Sequence, residues 1–196
     1  MSTRMRIGAV ILAAGASSRF GSNKLLADFG GRPVICRALE AVCTILPERA
    51  VVVTGNADIA ALADAYGFEV VENCAPEEGM SRSIRLGVSA LGDMDAVLLL
   101  VGDQPKLKGS SLRKLCTAFA AEGKGMACLC DETHSGNPAV FSAKYYAQLL
   151  TLSGDCGAKA ILRTHAQDLV FVDCEEADEL CDCDEPELLE RLKAEI

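Results

Sequence analysis

The sequence predicts a three-layer α/β/α fold built on a mostly parallel β-sheet. Short apolar runs alternate with segments of helical periodicity along the chain, and this βαβα order is typical of an open sheet with helices on both faces. Aromatic residues make up only 5% of the chain and tryptophan is absent, which favours an α/β core over an aromatic-rich sandwich. No low-complexity linker or internal repeat divides the chain, so we expect one domain over residues 1–196.

Seven apolar runs without polar alternation are the predicted strands, because strands buried on both faces of a parallel sheet are apolar at every position. They are residues 7–13, 50–54, 69–71, 96–101, 126–130, 139–141 and 169–172. Helical spacing and start signals such as Pro33 predict seven helices between and after them. They are residues 33–46, 58–66, 81–91, 110–121, 143–150, 155–165 and 186–194. Ligands of such sheets bind beyond the carboxyl ends of the strands.

Charge is distributed unevenly along the chain, whose formal net charge is −9. Residues 168–190 contain eleven acids and no lysine or arginine, whereas the first 24 residues contain four basic residues and no acid. An acidic protein repels nucleic acids and anionic membranes, so we expect neither as a partner. Most of these charges are expected to lie on solvated surfaces, but each of the two segments also contains a candidate site motif.

The ten cysteines show no Cys-x-x-Cys pair, and the two Cys-x-Cys pairs, at 128/130 and 181/183, lack the usual spacing of zinc ligands. No secretory signal or membrane-length apolar run is recognisable, so we expect a cytoplasmic protein with reduced thiols. Several of these cysteines are expected to be small core residues, and a bound soft metal is the alternative.

The loop after the first predicted strand, residues 10–24, is the most informative segment. Small residues follow the strand, and Arg19 and Lys24 come next, five positions apart. Small residues let backbone N–H groups approach phosphate oxygens, and two cations can neutralise a triphosphate. The segment contains neither a Walker A motif nor a dinucleotide fingerprint. A plain glycine-rich turn with basic surface residues is the alternative.

Two acidic motifs follow later in the chain. The strand at residues 96–101 leads into Gly102-Asp103-Gln104-Pro105, and a carboxylate at a strand end suits Mg²⁺, which prefers oxygen ligands. Asp182 and Asp184 precede the last predicted helix, whose positive N-terminal end alone favours acids there. A turn-capping role is the alternative for Asp103.

Residues 12–24 resemble the signature Leu-Ala-Ala-Gly-x-Ser-x-Arg-Phe-Gly-x-x-Lys of the MobA-like nucleotidyltransferases, which include the cytidylyl- and guanylyltransferases of molybdenum cofactor. The motif at residues 102–105 resembles the metal-binding motif of that family. Residues 182–189 resemble its Asp-x-Asp-Thr-Pro-Glu-Asp-Leu box, with departures at Cys183, Glu185 and Leu188. Further resemblances, in family order, are at residues 79–83, 136–138 and 154–159.

The resemblance implies a Rossmann-like nucleotidyltransferase fold of the nucleotide-diphospho-sugar transferase type. Residues up to about 105 would bind the nucleotide and the remainder the acceptor. The implied reaction moves CMP from CTP to the phosphate of molybdopterin and releases pyrophosphate, with Mg²⁺ as cofactor and a molybdenum hydroxylase as client enzyme. CTP is favoured because the guanylyl branch usually carries a second glycine in the first motif. The alternatives are GTP, a sugar or polyol phosphate as acceptor, and a non-catalytic maturation factor that binds molybdenum cofactor.

The resemblance also implies the site residues. The catalytic residues are Arg19, Lys24 and Asp103. The nucleotide-binding residues are Leu12, Ala13, Ala14, Gly15, Arg19, Lys24, Gly79, Met80, Ser81 and Ser83. The metal ligands are Asp103 and Asp184, with Asp182 as the alternative to Asp184. The acceptor-binding residues are Gln104, Asn137, Asp155 and Lys159. A phosphate nucleophile is already an anion at neutral pH, so no general base is demanded, and His134 and His165 are interpreted as surface or cap residues.

Overall fold

The computed structural model describes residues 5–15, 20, 23–176 and 178–194. Within these residues one sheet contains seven strands, in the order β3-β2-β1-β4-β6-β5-β7. The strands are β1 (Ile7–Leu12), β2 (Arg49–Thr54), β3 (Glu69–Glu72), β4 (Ala96–Val101), β5 (Met126–Cys130), β6 (Ser135–Ser142) and β7 (Leu169–Asp173). All neighbouring strands are parallel except β6, which is antiparallel to both β4 and β5.

Helices cover both faces of the sheet, as predicted. The helices are α1 (Val34–Cys43), α2 (Ala57–Ala65), α3 (Met80–Ala90), α4 (Gly109–Glu122), α5 (Tyr146–Leu150), α6 (Lys159–Thr164) and α7 (Pro186–Lys193). Apolar side chains of α1, α2, α4 and α7 pack in one buried cluster, and those of α3, α5 and α6 pack in a second cluster on the opposite face. The structure is therefore the expected three-layer arrangement.

The direction of β6 follows from the length of its connection. Only residues 131–134 separate β5 from β6, and a link this short joins antiparallel strands, whereas a parallel pair needs a crossover of a dozen or more residues. The predicted run 139–141 is the buried centre of this longer strand. Its first three residues are only partly buried and face the cleft described below, so they lack the apolar signal that marked the centre.

Most predicted elements lie within a few residues of the observed ones, and β4 and β5 have the predicted bounds. The prediction that every strand is buried on both faces is wrong for β3, which is largely exposed because it is an edge strand paired only with β2. The helix predicted at 155–165 begins only at Lys159, after a turn that contains Gly154 and Gly157.

The cysteines are unpaired in the described structure; three are buried, five are partly buried and two are exposed. No helix among the described residues is long and apolar enough to cross a membrane.

The order of the strands determines where a ligand can bind. The chain proceeds from β1 outwards to β2 and β3, and then returns to the other side of β1 with β4. The connections on the two sides of β1 therefore diverge, and this opens a crevice at the carboxyl ends of β1 and β4.

Candidate active site

The carboxyl ends of the central strands form the floor of the crevice. The N–H of Gly102 donates to the carbonyl of Leu12 at 3.0 Å, and the N–H of Ala13 donates to that of Val53 at 2.9 Å. The strands β2, β1 and β4 thus stay together just past their ends. Asp103, the next residue after Gly102, is consequently held on a rigid part of the fold.

Lys24 lies between two carboxylates at the centre of the crevice. Its Nζ donates to Asp103 Oδ2 at 2.5 Å and to Asp184 Oδ1 at 2.6 Å. The side chains of Lys24 and Asp103 are only 14% and 15% exposed, whereas that of Asp184 is 54% exposed. Burial by itself lowers the pKa of Lys24, but Asp103 and then Asp184 more than offset it, so the net pKa lies above its usual value. The ammonium therefore neutralises carboxylates from two distant segments.

Asp182 lies beside this cluster and accepts a hydrogen bond from Gln104. The buried Gln104 amide donates from Nε2 to Asp182 Oδ1 at 2.9 Å and to the carbonyl of Leu180 at 3.2 Å. Burial, followed by repulsion from Asp103, raises the pKa of Asp182 to about 6. Gln104, to which the family resemblance assigned an acceptor contact, fixes the segment that carries Asp182.

The donor atoms of this cluster fit a divalent cation. Asp103 Oδ1 is buried and has no hydrogen-bond partner among the described residues. Nowhere among the described residues is a group of three or more His, Cys, Asp or Glu side chains arranged to hold a metal by itself. Mg²⁺ is commonly bound through one or two carboxylates, with phosphates and water filling its other positions. The carboxylates therefore suit a cation shared with a polyphosphate.

The start of α3 forms one wall of the crevice. Gly79 has a φ of 89°, and a Cβ at this position would lie 2.5 Å from the backbone of Gly154, so glycine is required for this close approach. The N–H of Ser81 donates to the carbonyl of Gly154 at 3.2 Å. Ser83 Oγ accepts a hydrogen bond from the buried Asn73 side chain at 3.0 Å. These contacts fix the wall opposite Lys24.

Two connected cavities occupy the crevice. The first lobe, of about 490 Å³, lies over the Lys24 cluster, and the second lobe, of about 350 Å³, extends along β6 and the N-terminal end of α6. The residues that line both are Leu12, Met80, Val101, Asp155 and Asp182. A molecule in one lobe would therefore lie directly beside a molecule in the other.

The predicted site residues divide between the lobes. The first lobe is lined by Leu12, Ala14, Gly15, Lys24, Gly79, Met80, Ser83, Asp103, Asp155 and Asp184. The second is lined by Gln104, Asn137, Asp155 and Lys159, beside Leu12 and Met80. Ala13 and Ser81 are buried and line neither lobe; the Ser81 hydroxyl instead accepts from Arg85 at 3.3 Å. Arg19 lies outside the described residues.

His134, which the sequence interpretation assigned to a surface or cap position, has a side chain that is 55% exposed, and it also borders the second lobe. Its Nδ1 lies 2.7 Å from Thr133 Oγ1 and 3.2 Å from Asp131 Oδ2. The Thr133 hydroxyl also lies 3.0 Å from Asp131 Oδ1, so both neighbours orient the ring through Nδ1. These contacts are local, between residues 131 and 134, but the position of this turn beside the second lobe is set by the tertiary structure and is not visible in the sequence.

A comparison with models of known protein families assigns the chain to one family. A family model described as the MobA-like NTP transferase domain matches residues 9–170. The bifunctional protein GlmU of Corynebacterium aurimucosum is 34% identical over 131 residues, which are 62% of this chain and 27% of that protein. The chain thus spans about a quarter of the length of this curated relative.

Solved structures share the fold over nearly the whole chain. A nucleotidyl transferase from Methanothermobacter is 25% identical with a TM-score of 0.84, covering 98% of both chains. Rv0371c of Mycobacterium tuberculosis in complex with manganese is 22% identical with a TM-score of 0.78, covering 98% of this chain and 100% of that one.

Proposed function

Because the chain belongs to the MobA-like NTP transferase family, we propose that it transfers CMP from CTP to the phosphate of molybdopterin or molybdenum cofactor and releases pyrophosphate. The observation that carries this proposal is the Lys24 ammonium between Asp103 and Asp184, in a first lobe that adjoins a second one. The ammonium can bind the negative charge of a polyphosphate, and the flanking carboxylates can bind its counter-cation. The small residues of the neighbouring loop let the phosphates approach the backbone.

The first lobe is the proposed nucleotide site. Ala14 and Gly15 leave room for phosphates to approach the backbone, and a Cβ at Gly15 would meet open space. Lys24, together with Arg19, is proposed to neutralise the triphosphate, for which Lys24 exchanges its carboxylate contacts for phosphate oxygens. The exposed Met80 side chain, on the opposite wall, supplies an apolar surface for the base.

The second lobe is the proposed acceptor site. Lys159 and Asn137 line it, and Asp155 lies where the two lobes meet. The acceptor phosphate is the nucleophile, and since it is already an anion, it needs positioning beside the α-phosphorus more than a general base. We divide the chain into a nucleotide-binding part, up to about residue 105, and an acceptor-binding remainder. Asp155, Asp182 and Asp184 are the exceptions, because these late residues line the first lobe.

Asp103 and Asp184, with Asp182 beside them, are proposed to hold Mg²⁺. The ion would supply charge neutralisation of the triphosphate and of the leaving pyrophosphate. Asp103 is the best placed of the three, because it lies on the rigid end of β4 with one buried oxygen unpaired. The client enzyme that would receive the product is proposed to be a molybdenum hydroxylase, and the expected compartment is the cytoplasm.

The decisive experiment measures pyrophosphate release with Mg²⁺, molybdenum cofactor and each of CTP, GTP and ATP. Release with CTP alone is expected. Equal release with all three nucleotides would refute the base assignment, and release only with a sugar phosphate would refute the acceptor. Binding of cofactor without pyrophosphate release would favour the maturation-factor alternative.

Variants connect that activity to the cluster. Asp103→Asn and Lys24→Met should each lower the rate of pyrophosphate release by about 10²- to 10³-fold, as expected for the loss of one charge-stabilising group. Asp64→Asn is the matched control, because Asp64 is exposed on α2 and lines neither lobe. Normal turnover by Asp103→Asn would contradict the proposal.

A further inference from the structure

Glu179 is a buried acid in a segment whose charges were expected to be mostly solvated. Its side chain is fully buried, and it is the one acid among the described residues with that degree of burial. Oε1 accepts hydrogen bonds from the Ser111 hydroxyl at 3.0 Å and from the N–H groups of Glu175 and Glu176 at 3.0 and 2.9 Å. Oε2 accepts from the N–H of Lys108 at 3.1 Å.

These donors belong to two separate parts of the fold. Lys108 and Ser111 lie at the N-terminal end of α4, whose unpaired N–H groups favour a negative group. Glu175 and Glu176 follow β7 and begin the stretch that leads to α7. An apolar side chain could fill the same space but could not accept these hydrogen bonds. The carboxylate therefore specifically joins the stretch after β7 to the start of α4.

The same stretch carries the acids of the candidate active site. It contains no strand or helix between β7 and α7 in the described residues, so its placement depends on individual contacts. Gln104 holds the carbonyl of Leu180 and the carboxylate of Asp182, and the N–H of Cys183 donates to the carbonyl of Asp103 at 2.9 Å. Glu179 is the anchor immediately before these contacts.

We propose that Glu179 is a positioning residue, which holds the segment after β7 so that Asp182 and Asp184 stand opposite Asp103 for binding of a divalent cation with the nucleotide. The proposal rests on the proposed function. It assigns to a buried glutamate outside the cleft a role that acts through Asp182 and Asp184 rather than by touching substrate. Loss of such a supporting contact typically weakens metal affinity by about 10- to 100-fold.

The first test measures Mn²⁺ binding in the presence of CTP by electron paramagnetic resonance of the free ion. Glu179→Ala should raise the apparent Kd for Mn²⁺ by about tenfold or more. Glu179→Gln should cause a smaller rise, because its amide oxygen can still accept three of the four hydrogen bonds. Glu176→Gln is the matched control, since Glu176 lies three positions away with an exposed side chain that pairs with Lys108, and its Kd should stay within about twofold of wild type.

The second test needs neither metal nor nucleotide. Hydrogen exchange of the whole chain should be faster at residues 180–184 in the Glu179 variants, while β1 and β4 keep wild-type protection. Unchanged exchange at 180–184 with an unchanged Mn²⁺ Kd would overturn the proposal, as would a loss of protection spread evenly over the sheet. If wild type releases no pyrophosphate with any nucleotide, the proposed function fails, and selective exchange at 180–184 still supports the anchoring role of Glu179.

Discussion

Asp168 provides a quantitative test of how the far end of the sheet is held. It precedes β7, and its Oδ1 accepts from the N–H of Gly125 at 3.0 Å. Its Oδ2 accepts from the Tyr145 hydroxyl at 2.6 Å and contacts the Lys144 ammonium at 2.7 Å. The Lys144 and Tyr145 hydrogen bonds are the main cause that lowers the pKa of Asp168 from 3.8 to about 2. Asp168→Asn should therefore lower the free energy of unfolding.

The pKa shift sets the expected size of this loss. A fall from 3.8 to about 2 corresponds to roughly 2 kcal/mol, at about 1.4 kcal/mol per unit. Because the folded-state pKa is the lower one, this stabilisation is fully present above about pH 5 and is lost as the pH falls through 4 towards 2. The difference between wild type and Asp168→Asn should be about 2 kcal/mol at pH 7 and roughly half of that at pH 3.

Urea unfolding followed by circular dichroism at both pH values measures the difference. Asp64→Asn is the matched control, since Asp64 is exposed on α2 and makes no side-chain hydrogen bond among the described residues, and it should change stability by less than about 0.5 kcal/mol. Equal losses in the two variants, or a loss at Asp168 that stays the same from pH 7 to pH 3, would refute the reasoning.

Lys24→Met leaves two carboxylates without their shared ammonium, so its Tm in metal-free buffer should be lower than that of wild type and should rise more on addition of Mn²⁺; equal Mn²⁺ responses in a fluorescence melt would contradict this. Gly79→Ala places a Cβ against the backbone of Gly154, so calorimetry should show CTP binding weakened by about tenfold or more. Gly123→Ala, at a φ of 64° in open space, should cost about 1 kcal/mol of stability and leave CTP binding unchanged. Since all ten cysteines are unpaired, dithiothreitol should leave the Tm unchanged, whereas a fall of several degrees would reveal a structural disulfide.

The strands that the sequence predicts best are those with the simplest surroundings. β4 and β5 are buried on both faces, so every position is apolar and the run ends where the strand ends. β3 and β6 were predicted less well. β3 is exposed because it lies at the edge of the sheet, and the first half of β6 is partly exposed because it borders a cleft. Both positions depend on the tertiary structure and cannot be predicted from the local sequence.

The candidate site shows the same division. Motif spacing indicated Lys24, Asp103 and Asp184 separately, because a basic loop and acids at strand and helix ends are local patterns. Their contacts join residues 79 and 160 positions apart, which no local pattern specifies. Ser81 shows the opposite case: the family resemblance implied a nucleotide contact, but the packing of α3 against the loop at Gly154 buries this residue.

By itself, the sequence determined the alternation of strands and helices, the strand-end motifs, and the separation of basic residues in the first 24 positions from acids at 168–190. Only the tertiary structure decided what each of those acids does. Glu179 is fully buried among four hydrogen-bond donors, whereas Asp184 is half exposed against Lys24. Two acids in one run have different environments because burial and pairing depend on which distant segments fold against each of them, and this is a property of the packed sheet rather than of the local sequence.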